Sequence, residues 1–201
     1  PHLCIWDGMV YCEIVVALGG LGIRGNSSLP IICAGLVPEG SLLGPEHTLL
    51  DIAEPFVRPV IALSYSAAYM GIASGAFEIA MVEMPRMYRS GARRIDNAIN
   101  QRRMAEMGAQ IEAARALMLA VASSYDEERS TSNLPYFQSK VTCSEAAVRV
   151  TQDLMTAFGG TAFAGRLPFE RYFRDARAGI VMGMANDVAY QNMIPLMFPE
   201  A

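Results

Sequence analysis

Leu167-Pro168-Phe169-Glu170-Arg171-Tyr172-Phe173-Arg174-Asp175-Ala176-Arg177 is the stretch that decides the fold of this 201-residue chain. Pro168 suits the first turn of a helix, where a fixed φ helps and a missing N–H costs nothing. Glu170 stands four residues before Arg174 and Arg171 four before Asp175, so each pair can close over one helical turn. Just upstream, Gly159-Gly160 ends the preceding apolar-faced segment, as a left-handed cap would. A short charged helix therefore follows a long one across a glycine turn.

Working outward, the long helix has Pro135 near its first turn and an inner face that includes Val141, Val148, Leu154, Met155 and Phe158. Before it, across the polar loop 126–133, apolar residues recur at Met104, Met107, Ile111, Ala114, Met118 and Val121, in steps of three and four. A polar link, 89–96, separates that helix from an earlier one predicted over 51–86 and bent near Pro55 and Pro59. A last helix is expected over 179–193. The fold class is thus mainly α, a four-helix-type bundle over 47–201. Residues 1–46 differ: β-branched runs broken by Asp7-Gly8, Gly19-Gly20, Gly25-Asn26 and Pro38-Glu39-Gly40 predict three or four strands of a partial antiparallel β domain.

Hydrophobic residues make up 52% and charged residues 18%, which excludes disorder and calls for burial within the chain or between subunits. A homo-oligomer would supply it. The net charge of −4, without a basic run, lacks the footprint of a nucleic-acid binder. Cys4, Cys12, Cys33 and Cys143 form no C-x-x-C pair and the histidines are His2 and His47, so no metal site is expected. Reduced thiols and the lack of a recognisable signal segment point to a cytoplasmic protein, and the Pro1-His2 start reads as a cut. The uncharged run 59–77 approaches a membrane span in length, but it holds Ser64, Tyr65, Ser66 and Ser74 and spaces Ala67, Gly71 and Gly75 four apart. Small residues so spaced let another helix approach, and a buried bundle helix rather than a membrane span is the expectation.

Phe158-Gly159-Gly160 followed by the Pro168–Arg177 run resembles the signature of the acyl-CoA dehydrogenase superfamily, P-x-E-[KR]-x-x-R-D-A-[KR] after a Gly-Gly turn. Leu21-Gly22-Ile23-Arg24-Gly25-Asn26-Ser27-Ser28 resembles that family's L-G-M-R-G-x-x-S segment, and Val37-Pro38 with Leu43-Gly44 its exit from the β domain. Gln101, Met104, Ala105, Glu106 and Met107 resemble its second long helix. The resemblance implies FAD as cofactor, a dimer or tetramer, and an acyl-CoA or other small-molecule substrate.

It also implies roles for residues. Gly159 and Gly160 would expose backbone N–H groups to the pyrophosphate of FAD, although a glycine pair by itself reads as a plain helix cap. An arginine of the link between the first two long helices would meet the same pyrophosphate. Arg86 or Arg89 stands near that place, with a solvated basic turn as the alternative reading. Thr156 replaces a glutamine that often precedes the glycines.

Acyl-CoA dehydrogenation needs a pinned carboxylate to remove the α-proton while hydride passes to the flavin. The family's two customary places for that glutamate correspond to Gly183 and Tyr65, and neither holds an acid. Asp187, one turn on, is a weak catalytic candidate, read first as a surface or ribose-contacting aspartate. The expectation is an FAD-dependent acyl-CoA dehydrogenase-like oxidoreductase, as a fragment or half-protein. The alternatives are a flavin-dependent monooxygenase of the N-hydroxylase or nitroso synthase type, which needs no such base, and a non-catalytic partner subunit of a heteromeric dehydrogenase.

Overall fold

The computed structural model describes residues 3–6, 10–14, 20–25, 31–36, 57–88, 90–127 and 132–199. Strands β1 (Leu3–Trp6), β2 (Val10–Ile14) and β3 (Ile31–Gly35) form an antiparallel sheet in that order. Its register sets Cys4 opposite Cys12 and Cys12 opposite Cys33, so cysteines scattered in sequence fall in one row of Cα positions. The turns at Asp7-Gly8 and Pro38–Gly40, the segment with Leu43-Gly44, the boundary at 46/47 and the first part of the predicted 51–86 helix, with Pro55, lie outside the described residues.

The first long helix, α1, is Arg58–Glu83. Pro59 occupies its first turn, where no N–H is needed, rather than a bend. The predicted end at Arg86 comes three residues too late, because Pro85 cannot donate to the helical ladder. Ala62, Ser66, Tyr69, Ala73, Ala76 and Ala80 form its buried stripe. The small-residue stripe expected to admit another helix is a different one: Ala67 and Gly71 are exposed, while Gly75 faces the Tyr172 hydroxyl. By length and composition α1 could cross a membrane. In this fold the same apolarity lets it pack against three helices at once.

Those neighbours are α2 (Ala98–Asp126), α3 (Leu134–Phe158) and α5 (Phe169–Val181). Asn97 caps α2 by accepting the Ile99 N–H at 2.8 Å. The predicted stripe of α2 is the observed one: Met104, Met107, Ile111, Ala114 and Val121 are buried and Met118 packs against the core. On α3, Val141, Leu154 and Phe158 are buried, with Val148 and Met155 packed beside them. Pro135 sits in the first turn. Fully burying a Leu or Phe in such a core stabilises by about 1.5–3 kcal/mol. Phe158 meets Phe169 with ring centroids 4.4 Å apart, which ties the end of α3 to the start of α5.

Gly159 closes α3 with φ +54° and ψ −132°, a positive φ that lies outside the left-handed helical well. The chain re-enters a short helix at once, α4 (Gly160–Phe163). Glu170 and Arg174 pair at 2.8 Å as their spacing predicts. Arg171 and Asp175 do not: Asp175 accepts the Ile23 N–H at 2.6 Å, and Arg171 lies over the Tyr172 ring. The last helix, α6 (Asn186–Met197), starts seven residues after the predicted Gly179. Gly179 belongs to α5, and Gly183, at φ +79°, makes the turn that parts the two helices.

The segment 20–25 docks on α5. A Cβ on Gly22 would run into the Arg174 carbonyl, and Arg174 donates to the Leu21 carbonyl at 3.0 Å. Ile23, a β-branched residue at φ +49°, packs against the main core cluster.

Candidate functional site

Two regions of the bundle carry the residues singled out from sequence. The first surrounds the Gly159-Gly160 turn. A Cβ added to either glycine would meet nothing within 4 Å, so both stand at an open surface. Thr161 follows them directly, and Arg94 donates to its hydroxyl at 2.8 Å. The Arg94 guanidinium is held between the Tyr88 and Phe158 rings, 4.3 and 4.8 Å from their centroids. Partial burial lowers its pKa, with Glu83 pulling the other way, and the guanidinium stays charged at any physiological pH. An open glycine turn, a hydroxyl and a rigidly held cation suit a phosphate-bearing ligand.

Sequence reading did not single out Arg94, which the link between the first two long helices brings to the glycine turn. The link folds back on itself: Met87 bridges to Arg93, and Tyr88 donates its N–H to the Ala92 carbonyl at 2.8 Å while its own carbonyl accepts the Gly91 N–H at 3.0 Å. A 3₁₀ turn, Arg94–Asp96, then brings Arg94 beside Phe158. Arg86, one of the two arginines expected there, is exposed and pairs with Glu83 at 2.6 Å. Arg89 lies outside the described residues. Thr156 is exposed, and its hydroxyl donates back to the Gln152 carbonyl of its own helix.

The second region is a cavity of about 250 Å³ between α1, α3 and the α5–α6 turn, bordered by Arg58, Tyr65, Phe137, Lys140, Gly183 and Met184 among others. It brings together Tyr65 and Gly183, the two positions that the resemblance matched to the family's glutamate. A Cβ on Gly183 would fall 2.5 Å from Tyr65 Cδ2. Tyr65 stacks in turn on the fully buried Tyr69, centroids 5.9 Å apart. Among the described residues, no carboxylate borders the cavity. Asp187 sits exposed in the first turn of α6 and does not border it.

Lys140, on α3, is the buried cation of this region. Its ammonium donates to the Gly179 carbonyl at 2.9 Å, to the Met184 carbonyl, and to Asn186 Oδ1 at 2.6 Å. Ser144 completes the group by accepting from Asn186 Nδ2 at 3.1 Å. Lys140 thereby clamps both flanks of the Gly183 turn to α3. Burial pushes its pKa down to about 8, opposed by the more distant Glu145. Periodicity marked Val141 of this helix as inward, but gave no reason to put a lysine beside it. Among the described residues no group of His, Cys, Asp and Glu could hold a metal ion.

Residues 61–193 match the family described as acyl-CoA dehydrogenase, C-terminal domain. The chain is 31% identical over 172 residues to cyclohexane-1-carbonyl-CoA dehydrogenase of Geobacter metallireducens, covering 84% of this chain and 44% of that protein. It is 28% identical over 191 residues to L-evernosamine nitrososynthase of a Micromonospora species, covering 90% of this chain and 44% of that protein. The chain thus spans less than half the length of these relatives. Butyryl-CoA dehydrogenase from Megasphaera elsdenii superposes with a TM-score of 0.88 at 23% identity, over 96% of this chain and 50% of that one, a likeness of fold. The Gly-Gly turn, the docked Leu21–Gly25 segment and the Pro168–Arg177 helix belong together for this reason: the chain is a member of the acyl-CoA dehydrogenase family and contains its C-terminal helical domain.

Proposed function

We propose that this bundle serves an FAD-dependent oxidoreductase by clamping the cofactor and walling a ligand cavity, without supplying an α-proton base. Gly159, Gly160, Thr161 and Arg94 would hold the pyrophosphate half of FAD, and Arg94 would do so with little reorganisation because two rings already fix it. Bound FAD would supply the electron transfer. The cavity beside Tyr65 and Gly183 would take the substrate, with Phe137 and Met184 excluding water from it. Lys140 would keep the turn and the cavity wall in place.

The observation that carries this reading is the contact of Tyr65 with Gly183. Both positions at which the fold could present a carboxylate to the substrate meet in one place, and an aromatic ring and a bare backbone occupy it. Among the described residues of this cavity, a reaction that begins with α-proton removal finds no carboxylate to perform it. The same observation favours a second reading, a flavin-dependent monooxygenase of the N-hydroxylase or nitroso synthase type, to which the similarity to L-evernosamine nitrososynthase lends support. Exposed Val188, Ile194, Leu196 and Phe198 on and just after α6 support assembly with further subunits, as a homo-oligomer or with a partner of the heteromeric type.

The test is made on purified protein carrying a flavin spectrum. Anaerobic bleaching of that spectrum by acyl-CoA thioesters would mean that a base reaches the substrate from elsewhere and would overturn the base-free reading. NAD(P)H-dependent oxygen uptake stimulated by amines, with no bleaching by thioesters, is the result expected of the second reading. Failure of the chain to retain any flavin would overturn the clamp.

A further inference from the structure

The polar groups around the Tyr65–Gly183 cavity are unequally committed. Every donor of Lys140 is spoken for by a neutral acceptor, two carbonyls and the Asn186 amide oxygen. Arg58 lies over the Phe137 ring and is engaged elsewhere too. Nearby hydroxyls are used within their own helices: Ser66 donates to the Ala62 carbonyl and Ser144 to the Val141 carbonyl. The Tyr65 hydroxyl differs. Among the described residues it takes no hydrogen bond within the chain, and it is not among the buried orphans, as the Tyr69 hydroxyl is. Tyr65 thus borders the cavity with its phenol uncommitted.

Charge narrows what the phenol could meet. Lys140 is 3% exposed, and none of its hydrogen-bond partners carries a negative charge. Glu145 acts on it through space, but Glu145 is exposed and accepts from the Tyr190 hydroxyl at 2.8 Å. A buried cation satisfied only by neutral acceptors leaves a positive potential in the low-dielectric space next to it. Apart from Arg58, the rest of the wall is apolar or bare backbone, with Ile61, Ala62, Phe137 and Ala189.

We propose that the cavity binds a small, mainly apolar molecule through a carboxylate, with the Tyr65 hydroxyl donating to one carboxylate oxygen and the Lys140 charge supplying the countercharge without a direct bond. The proposal deepens the functional reading at the same cavity by naming the ligand's charge, and it rests on that cavity being the ligand pocket. Tyr65 is here a binding residue, and Lys140 acts through the field it creates.

The test uses hexanoate and its neutral isostere hexanamide, titrated into the purified chain by calorimetry, with the flavin spectrum recorded in parallel. At pH 7 hexanoate is expected to bind about tenfold more tightly than hexanamide. Near pH 9.5 the gap should narrow at least severalfold as Lys140 loses its charge, the Arg58 guanidinium still lining the wall. Of the titratable groups around Lys140, namely Arg58, Tyr65 and Tyr69 on α1, Glu145 on its own helix, and Asp187 and Tyr190 on α6, the displaced tyrosines Tyr69 and Tyr190 are pushed up, away from that window. Tyr65→Phe keeps the ring on Gly183 and Tyr69 and should weaken hexanoate about five- to tenfold, leaving hexanamide less affected. Equal affinities for the two ligands at pH 7, or an unchanged hexanoate affinity in Tyr65→Phe, would overturn the proposal. Both arms avoid Lys140 substitutions, which could fail to fold. Selective hexanoate binding to a chain without flavin would uphold this site while removing the cofactor reading; flavin retained without any carboxylate preference would do the reverse.

Discussion

The Tyr65 ring lies where a side chain at Gly183 would have to go: a Cβ built on Gly183 comes within 2.5 Å of Tyr65 Cδ2 and 2.6 Å of Cε2. Gly183 also holds φ at +79°, a conformation that costs an L-residue about 1–2 kcal/mol. Strain and overlap therefore act on the same position.

Gly183→Ala should cost about 2–5 kcal/mol in urea denaturation, the sum of that backbone penalty and the displacement of a packed ring. Tyr65→Ala removes the overlap but leaves the φ. In a double-mutant cycle the pair should couple favourably by about 1–2 kcal/mol, the double variant being more stable than additivity allows. Simple additivity would show that Tyr65 does not confine the turn. By the same logic Gly183→Glu alone should not install a working base, since its carboxylate can enter the cavity only once Tyr65 has been reduced.

Arg94→Met should lower FAD affinity about tenfold or more, read from flavin retention on dilution. Arg94→Lys should rescue little of this, because an ammonium cannot stack flat between Tyr88 and Phe158 while donating to Thr161. Arg86→Ala should leave retention unchanged, because that side chain is bound to Glu83. The opposite ranking would return the phosphate role to the arginine first expected to hold it.

These two regions were not equally legible in the sequence. Helical periodicity picked out Met104, Met107, Ile111, Ala114 and Val121 because a bundle core demands one face per helix, and that demand is local. The glycine turn and the Pro168 helix start were equally local. The placement of Arg94 was not, since it depends on the link folding back at Tyr88–Ala92, a matter of tertiary contact with Phe158. One signal was present: Arg86 and Arg93 each have an acid three residues away, Glu83 and Asp96, whereas Arg94 has none at that spacing. Ala67 and Gly71 misled for the complementary reason. Small residues permit a close approach but do not say which of two adjacent stripes will be used. The juxtaposition of Tyr65 with Gly183 joins positions more than a hundred residues apart and could be suspected only from the resemblance.

Asp175→Ala should loosen the contact between the β segment and the bundle. Its carboxylate accepts the N–H of Ile23 at 2.6 Å, and Ile23 is held at φ +49°. Losing a hydrogen bond to a charged acceptor costs about 1.5–3 kcal/mol. Hydrogen exchange at Leu21–Arg24 should therefore accelerate while α2 keeps its protection. Asp175→Asn, which can still accept, should fall between the two. Uniform loosening of the whole chain would instead place Asp175 in the core's own stability.

Stability should depend on pH with a shape set by two buried groups of opposite displacement. Lys140 is lowered from its usual 10.5 to about 8 by burial. Between those values the unfolded chain holds a proton that the folded chain has released, so stability rises with pH across that window. Cys143 is raised from 9 to about 11, chiefly by burial, with Ser139 and Ser66 opposing. Its contribution is fully present below 9 and is lost as pH rises towards 11, because there the unfolded thiol ionises first. Tyr69, pushed well up by burial with a smaller push from Tyr65, adds a further loss above 10. From about pH 8 to 9 Lys140 dominates among the described residues, so urea midpoints should climb in that interval and level off or fall beyond it. Lys140→Met should flatten the climb between 8 and 9 and leave the later fall intact, whereas Cys143→Ala should spare the climb and soften the fall that follows. A flat midpoint from pH 7 to 9 in the native protein would mean that Lys140 carries its charge at no cost, and with it the positive potential assigned to the cavity would disappear.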